Sequence, residues 1–209
     1  GLVGSEMCIR DSYMIDKETF DRLMMRYSHL GTRKVEATGA LLIGHAPHVA
    51  PEAWLNSTYP CLSESETVEL EVLLGTTIPI EYRHFLQNIS NGTNILVDEL
   101  CLFGKRRNYI RNSIDATRQP FNLKDAIDEK PRNATSNMFF IGGYSWDGSK
   151  LYIDNISNRV YYCQRYDCTP LKSWNSLSEM IISETERLYS LFDINGKQIK
   201  EDEPTIPIV

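Results

Sequence analysis

Several chemistries are excluded by what this sequence does not contain. Nowhere does an apolar run approach the roughly 20 residues that a membrane-crossing helix needs. No Ser stands in a GxSxG context, no glycine-rich loop is followed by Lys-Ser/Thr, and no GxGxxG opens a helix, so nucleophile-elbow and phosphate-loop signatures are missing. Only four histidines are present, His29, His45, His48 and His84, and none neighbours a cysteine that it could activate. His45 and His48 have HxxH spacing, but no Glu precedes the second, and nearby prolines oppose the helix on which a zinc pair would ride. The five cysteines, Cys8, Cys61, Cys101, Cys163 and Cys168, form no CxxC pair and are odd in number, which fits reduced thiols in the cytoplasm. Spacing leaves a Cys163–Cys168 bond open without establishing it. Basic charge is short too: the net charge of −6 lacks the clustered positive face of a nucleic-acid binder and, beyond serving solubility, favours a basic partner. No cofactor fingerprint and no calcium loop emerge; Asp147 in WDGS lacks alternating acidic neighbours.

What is present is an ordinary globular composition, 42% hydrophobic and 24% charged over 209 residues, enough for one domain with a substantial core. The opening residues, 1–13, resemble a translated sequencing adapter, and the natural chain is expected to begin near Met14. Residues 14–53 read as an N-terminal helical extension: Asp16 caps a helix with Phe20, Leu23, Met24, Tyr27 and Leu30 on one face, and Gly31 ends it. Ala40–Ile43 is apolar but too short to classify. Trp54–Pro60 reads as a connector.

A capping box, Ser63 with Glu66, opens the next helix. Leu70, Leu73 and Leu74 form its inward edge, and Gly75 stops it. Pro79 suits the first turn of a second helix, in which Tyr82, Phe85, Leu86 and Ile89 recur at helical spacing. Asn91-Gly92 is expected to close that helix in a left-handed turn. Asn94–Phe103 reads as the first strands, broken at Asp98-Glu99, followed by a basic turn at Lys105, Arg106 and Arg107. Residues 112–137 read as a surface loop with one helical turn at Leu123–Ile127.

Met138–Ile141 is a short apolar strand that Gly142-Gly143 is expected to end, and Asp147-Gly148 makes a turn. Leu151–Asp154 and Arg159–Cys163 alternate apolar and polar residues, giving an antiparallel meander of at least three strands. A second capping box, Ser176 with Glu179, opens a helix with Leu177, Met180, Ile181, Leu188, Leu191 and Phe192 inward, stopped by Asn195-Gly196. Residues 197–209 form an acidic, proline-broken tail. The expected class is α+β, a mostly antiparallel twisted sheet against a helical hairpin and a C-terminal helix.

The run Glu69-Leu70-Glu71, Leu74-Gly75, Ile78-Pro79, Tyr82, Phe85-Leu86, Asn91-Gly92 resembles the opening signature of the SMI1/KNR4 family of the SUKH superfamily. IGGYSWDGSKLYID resembles its second signature and LKSWNSLSEM its closing element, together spanning about residues 54–196. The resemblance implies a SUKH-like fold in which Leu74, Gly75, Pro79, Tyr82, Phe85, Leu86, Asn91, Gly92, Asp147 and Gly148 make the structure. It also implies a non-catalytic bacterial immunity protein that binds a cognate toxin, such as a nuclease, with neither nucleic acid nor membrane as partner. Tyr144 and Trp146 in the turn are the candidate exposed aromatic anchors, the alternative for Trp146 being that it folds back on the sheet; Arg106 and Arg107 are secondary candidates. The resemblance equally allows an intracellular scaffold or regulatory module, although such relatives carry long disordered flanks. An enzyme would require a deep pocket of convergent titratable groups. The oligomeric state is left open.

Overall fold

A computed structural model describes residues 14–108 and 113–207. The adapter-like leader, and Cys8 with it, lies outside the described residues. Nine strands form one sheet in sequence order, each antiparallel to the last. They are β1 (Thr32–Lys34), β2 (Leu41–His45), β3 (Trp54–Thr58), β4 (Thr93–Ile95), β5 (Leu100–Leu102), β6 (Met138–Tyr144), β7 (Lys150–Asp154), β8 (Val160–Cys163) and β9 (Lys172–Trp174). Among the described residues five α-helices accompany them: α1 (Lys17–Met24), α2 (Glu64–Leu74), α3 (Ile80–His84), α4 (Leu123–Asp128) and α5 (Leu177–Ser190). The α+β class and the antiparallel meander are as expected, and the meander is longer than the alternation in the sequence revealed.

The extra strands lie where a helical extension and a connector were expected. After α1 and a 3-10 segment, Met25–Leu30, the chain enters β1 and β2, so residues 32–45 form a β-hairpin. Trp54–Thr58 is β3, paired to both β2 and β4. Polar residues disguise this strand, because Asn56 is fully buried yet satisfied. Its Nδ2 donates to Met24 O at 2.8 Å and Tyr189 Oη at 2.7 Å, and its Oδ1 accepts from Leu96 N at 3.2 Å. Partners distant in sequence remove the desolvation cost that would otherwise keep an Asn out of the interior.

The helix starts follow their local signals. Asp16 accepts from Thr19 N, and Ser63 and Glu66 form the full capping box. Gly75, with φ +69°, ends α2. The buried side of α2 is Thr67, Leu70 and Leu74, whereas Leu73 is 54% exposed. Pro79 serves as the N-cap rather than a first-turn residue, its carbonyl accepting from Arg83 N at 2.8 Å. A wide π turn, Phe85–Ile89, follows α3 and closes with Ser90 N donating to Phe85 O. Asn91-Gly92 therefore stands beyond the helix end. Tyr82, Phe85 and Leu86 are completely buried, each contributing roughly 1.5–3 kcal/mol.

Helices α1, α3 and α5 cover one face of the sheet. Tyr82 Oη reaches Ile141 O at 3.0 Å, and the Phe20 and Phe85 rings meet edge-on at 5.6 Å. Helix α5 ends at Ser190, short of the expected Asn195-Gly196 stop. Asp193 there organises a turn by accepting from Asn195 N and Lys197 N. The tail is docked rather than loose: Thr205 is fully buried, its carbonyl accepting from Arg187 Nη2 at 2.7 Å and its hydroxyl donating to Glu99.

Candidate functional site

The face of the sheet away from α1, α3 and α5 is only partly covered. Cross-strand registers align Ser57, Asn94, Cys101, Gly143 and Lys150 in one row on that face. Strand β6 continues through Gly142-Gly143 instead of ending there, with a bulge between Phe140 and Gly142. The two glycines are required by close approach. A Cβ at Gly142 would stand 2.0 Å from Cys101 O, and one at Gly143 would stand 2.1 Å from Ser149 O. Their bare backbone contributes to the lining of a groove of about 410 Å³, bordered by α4, the Phe103–Phe121 ring stack and the Trp146–Gly148 turn. A second hollow of about 260 Å³ lies alongside, and Asp98 and Phe121 line both.

The expected binding residues are only partly brought together: Tyr144 and Trp146 both line the groove, Arg106 the second hollow and Arg107 neither. Tyr144 is 3% exposed, because β6 runs to this residue and aims the ring at the helices. Its Oη donates to Glu184 Oε2 at 2.9 Å and its ring meets Tyr162 edge-on. Tyr144 is a core residue, not an exposed anchor. Trp146 is 45% exposed on the lip of the groove. Asp147 Oδ1 accepts from Ser149 N at 2.9 Å and Gly148 has φ +72°, the turn chemistry expected of them. Arg106 is exposed at the second hollow. Arg107 faces neither hollow: its Nε lies 2.6 Å from Glu66 Oε1 and its Nη2 donates to Cys61 O at 3.2 Å. That guanidinium bond pulls the Glu66 carboxyl down to about 2. Arg107 thus fastens the start of α2.

Sequence reasoning passed over Asp98, Phe121, Cys101, Lys150 and Arg118, which line the two hollows. The only signal was the acidic break in an apolar run at Asp98-Glu99. In the structure that break is a left-handed turn, with φ +52° at Leu96, +54° at Val97 and +75° at Asp98. It is held by Val97 N donating to Leu55 O at 2.8 Å and Ser145 N donating to Glu99 O at 3.3 Å. Burial pushes the Asp98 carboxyl up, as it does the Glu99 carboxyl, and it holds the Lys150 ammonium down. The Cys101 thiol, also raised well above its usual range by burial, donates to Asp98 O.

Cys163 and Cys168 are both free thiols, and burial pushes Cys163 up to about 12. His45 Nε2 donates to Pro51 O and His48 Nε2 to Gly196 O, so both rings are bonded to backbone. Among the described residues no three His, Cys, Asp or Glu side chains converge to hold a metal ion. No helix among them is long and apolar enough to cross a membrane. Compared with known proteins, the chain matches no family model and no curated sequence.

Proposed function

We propose that this protein is a non-catalytic immunity protein of the SMI1/KNR4 kind, which binds and neutralises a cognate bacterial toxin in the cytoplasm through the open face of its sheet. The observation that carries this reading is the groove with exposed aromatic rings at its edge. Trp146 is 45% and Phe121 43% exposed, and Tyr166, beside the groove-lining Arg165, is 78% exposed. Large rings left in water around a concavity, on a turn and a loop fixed by the sheet, are the anchors that protein interfaces use. The chemistry of the groove favours binding over turnover: no histidine lines it, and its cysteine is held in the thiol form.

Co-expression with toxins encoded beside its gene tests the proposal. Protection of the host and capture of one such toxin are expected. Trp146→Ala should weaken capture by about tenfold or more while leaving stability within about 0.5 kcal/mol. Failure to bind or neutralise any of them would end this reading.

A further inference from the structure

The residues common to the groove and the second hollow are one carboxylate and one exposed ring. Asp98 Oδ1 accepts from Asn94 Nδ2 at 2.5 Å, and among the described residues Asp98 Oδ2 accepts no hydrogen bond. The Asn94 carbonyl beside it is buried without a donor, and Trp54 Nε1 and Arg118 Nε in the second hollow are buried without acceptors; neither of these donors is hydrogen-bonded to Asp98. Among the described residues no ion pair within 4.0 Å includes Asp98. The nearest in charge, Arg118, is turned to Glu52, donating from Nη2 to Glu52 O at 2.5 Å. Lys150 stands two strands beyond Cys101 in the cross-strand row, roughly 10 Å away at ordinary strand spacing. Arg165, Glu129 and Asp147 also line the groove, and Arg106 the second hollow; none of them forms an ion pair with Asp98. Phe121 is stacked on Phe103 at 5.3 Å and keeps 43% of its surface exposed.

This arrangement is held against the chain's own stability. Three consecutive residues other than glycine in the left-handed region cost about 1–2 kcal/mol each, and Val97, being β-branched, is the worst suited of them. Backbone strain of this kind is retained where it positions a working group. Here it places a carboxylate, with one oxygen unbonded, between two hollows and near an aromatic face.

We propose that Asp98 and Phe121 form a seat for the guanidinium of an arginine side chain presented by the bound protein. The inference rests on the binding role given above and names its anchor. A carboxylate with a free oxygen suits the planar fork of a guanidinium, and an exposed ring suits its flat face better than it suits a compact ammonium. An arginine inserted here would bring the part-buried carboxylate a charged donor in hydrogen-bond reach.

The test uses the full chain and blocked single amino acids. Isotope-labelled protein is titrated with N-acetyl-arginine methylamide and, in parallel, with the citrulline and lysine equivalents, while amide shifts are followed by NMR. Saturable shifts confined to residues 96–101 and 121 are expected for the arginine compound, with a Kd on the order of 10 mM, as befits one side chain. Citrulline should bind at least about tenfold more weakly, and lysine more weakly than arginine. Asp98→Asn should lose about tenfold in affinity yet melt no lower than the parent, because Asn tolerates the left-handed turn and carries no buried charge. Phe121→Leu should weaken binding severalfold with Asp98 intact. Equal binding of citrulline, undiminished binding by Asp98→Asn, or no saturable shift at these residues would overturn the seat. If Asp98→Asn still captured the toxin at full affinity, the anchor would be wrong while the binding role stood.

Discussion

Replacing Asn91 separates two accounts of the Asn-Gly pair. If Asn91 merely ended a helix, its replacement would cost at most about 1 kcal/mol. In the structure its side chain, almost fully buried, acts as a short strand partner. Nδ2 donates to Lys105 O at 2.8 Å, and Oδ1 accepts from Lys105 N at 2.8 Å. The neighbouring Gly104 packs so closely that a Cβ there would stand 2.3 Å from Asn91 O. Gly104 in turn accepts from Leu123 N and donates to Phe121 O, both at 2.8 Å. The clamp therefore positions the segment bearing Phe121, at the edge of the groove. Asn91→Ala removes two hydrogen bonds of about 1 kcal/mol each and leaves a part-buried N–H and C=O without partners, a loss of roughly 2–4 kcal/mol. For a domain of this length that lowers Tm by roughly 5–15 °C. Asn91→Asp is the sharper perturbation. It keeps the acceptor but sets an oxygen against Lys105 O, so its loss should match that of Asn91→Ala at pH 7. Burial and that repulsion raise the new carboxyl above its unfolded value, so the deficit shrinks as pH falls and the group takes up a proton. Urea unfolding at pH 7 and pH 5 measures both. An Asn91→Asp protein that unfolds at the parent's urea midpoint at pH 7 would refute the clamp.

Two further predictions follow from the same bonds and contacts. The Glu66 carboxyl, at about 2 when folded against an ordinary 4.5, contributes stability that is present above pH 4.5 and lost as pH falls toward 2, since the unfolded chain binds the extra proton. At this partly exposed pair the contribution is about 1 kcal/mol, and it should vanish in Arg107→Met; identical pH dependence of the two proteins' urea midpoints would contradict it. Gly142→Ala should cost about 3 kcal/mol because its Cβ meets backbone at 2.0 Å, whereas Gly75→Ala, with nothing within 4 Å, should cost about 1 kcal/mol from its left-handed φ alone. Chemical denaturation of the pair checks the contrast, and equal losses would show that contact at Gly142 is not what matters.

By itself the sequence determined the features whose causes are local. Asp16, Ser63 with Glu66, and Ser176 start helices because each cap bonds an amide three residues on. Gly75 stops one because only a residue without a Cβ takes that turn without strain, and Tyr82, Phe85 and Leu86 fall on one buried side because helical spacing puts them there. Strands β7 and β8 were legible as strands, but not as half-buried ones: Leu151, Tyr152 and Ile153 are all buried, because both faces of β7 are covered. Tertiary structure alone decided which chemistry was hidden and which was displayed. Asn56 is tolerated in the core because Met24 and Tyr189 bond it, so β3, with Asn56, Ser57 and Thr58 after Trp54 and Leu55, lacked the apolar pattern of a strand. Tyr144 was drawn inward by Glu184 from a helix 40 residues on, and Arg107 by Glu66 from 41 residues back. Asp98 and Phe121 became neighbours of a common space because β5 returns beside β4 and Gly104 fixes the segment that follows. A side chain's burial and bonding depend on partners that chain folding brings from far away, and short-range pattern carries no record of them.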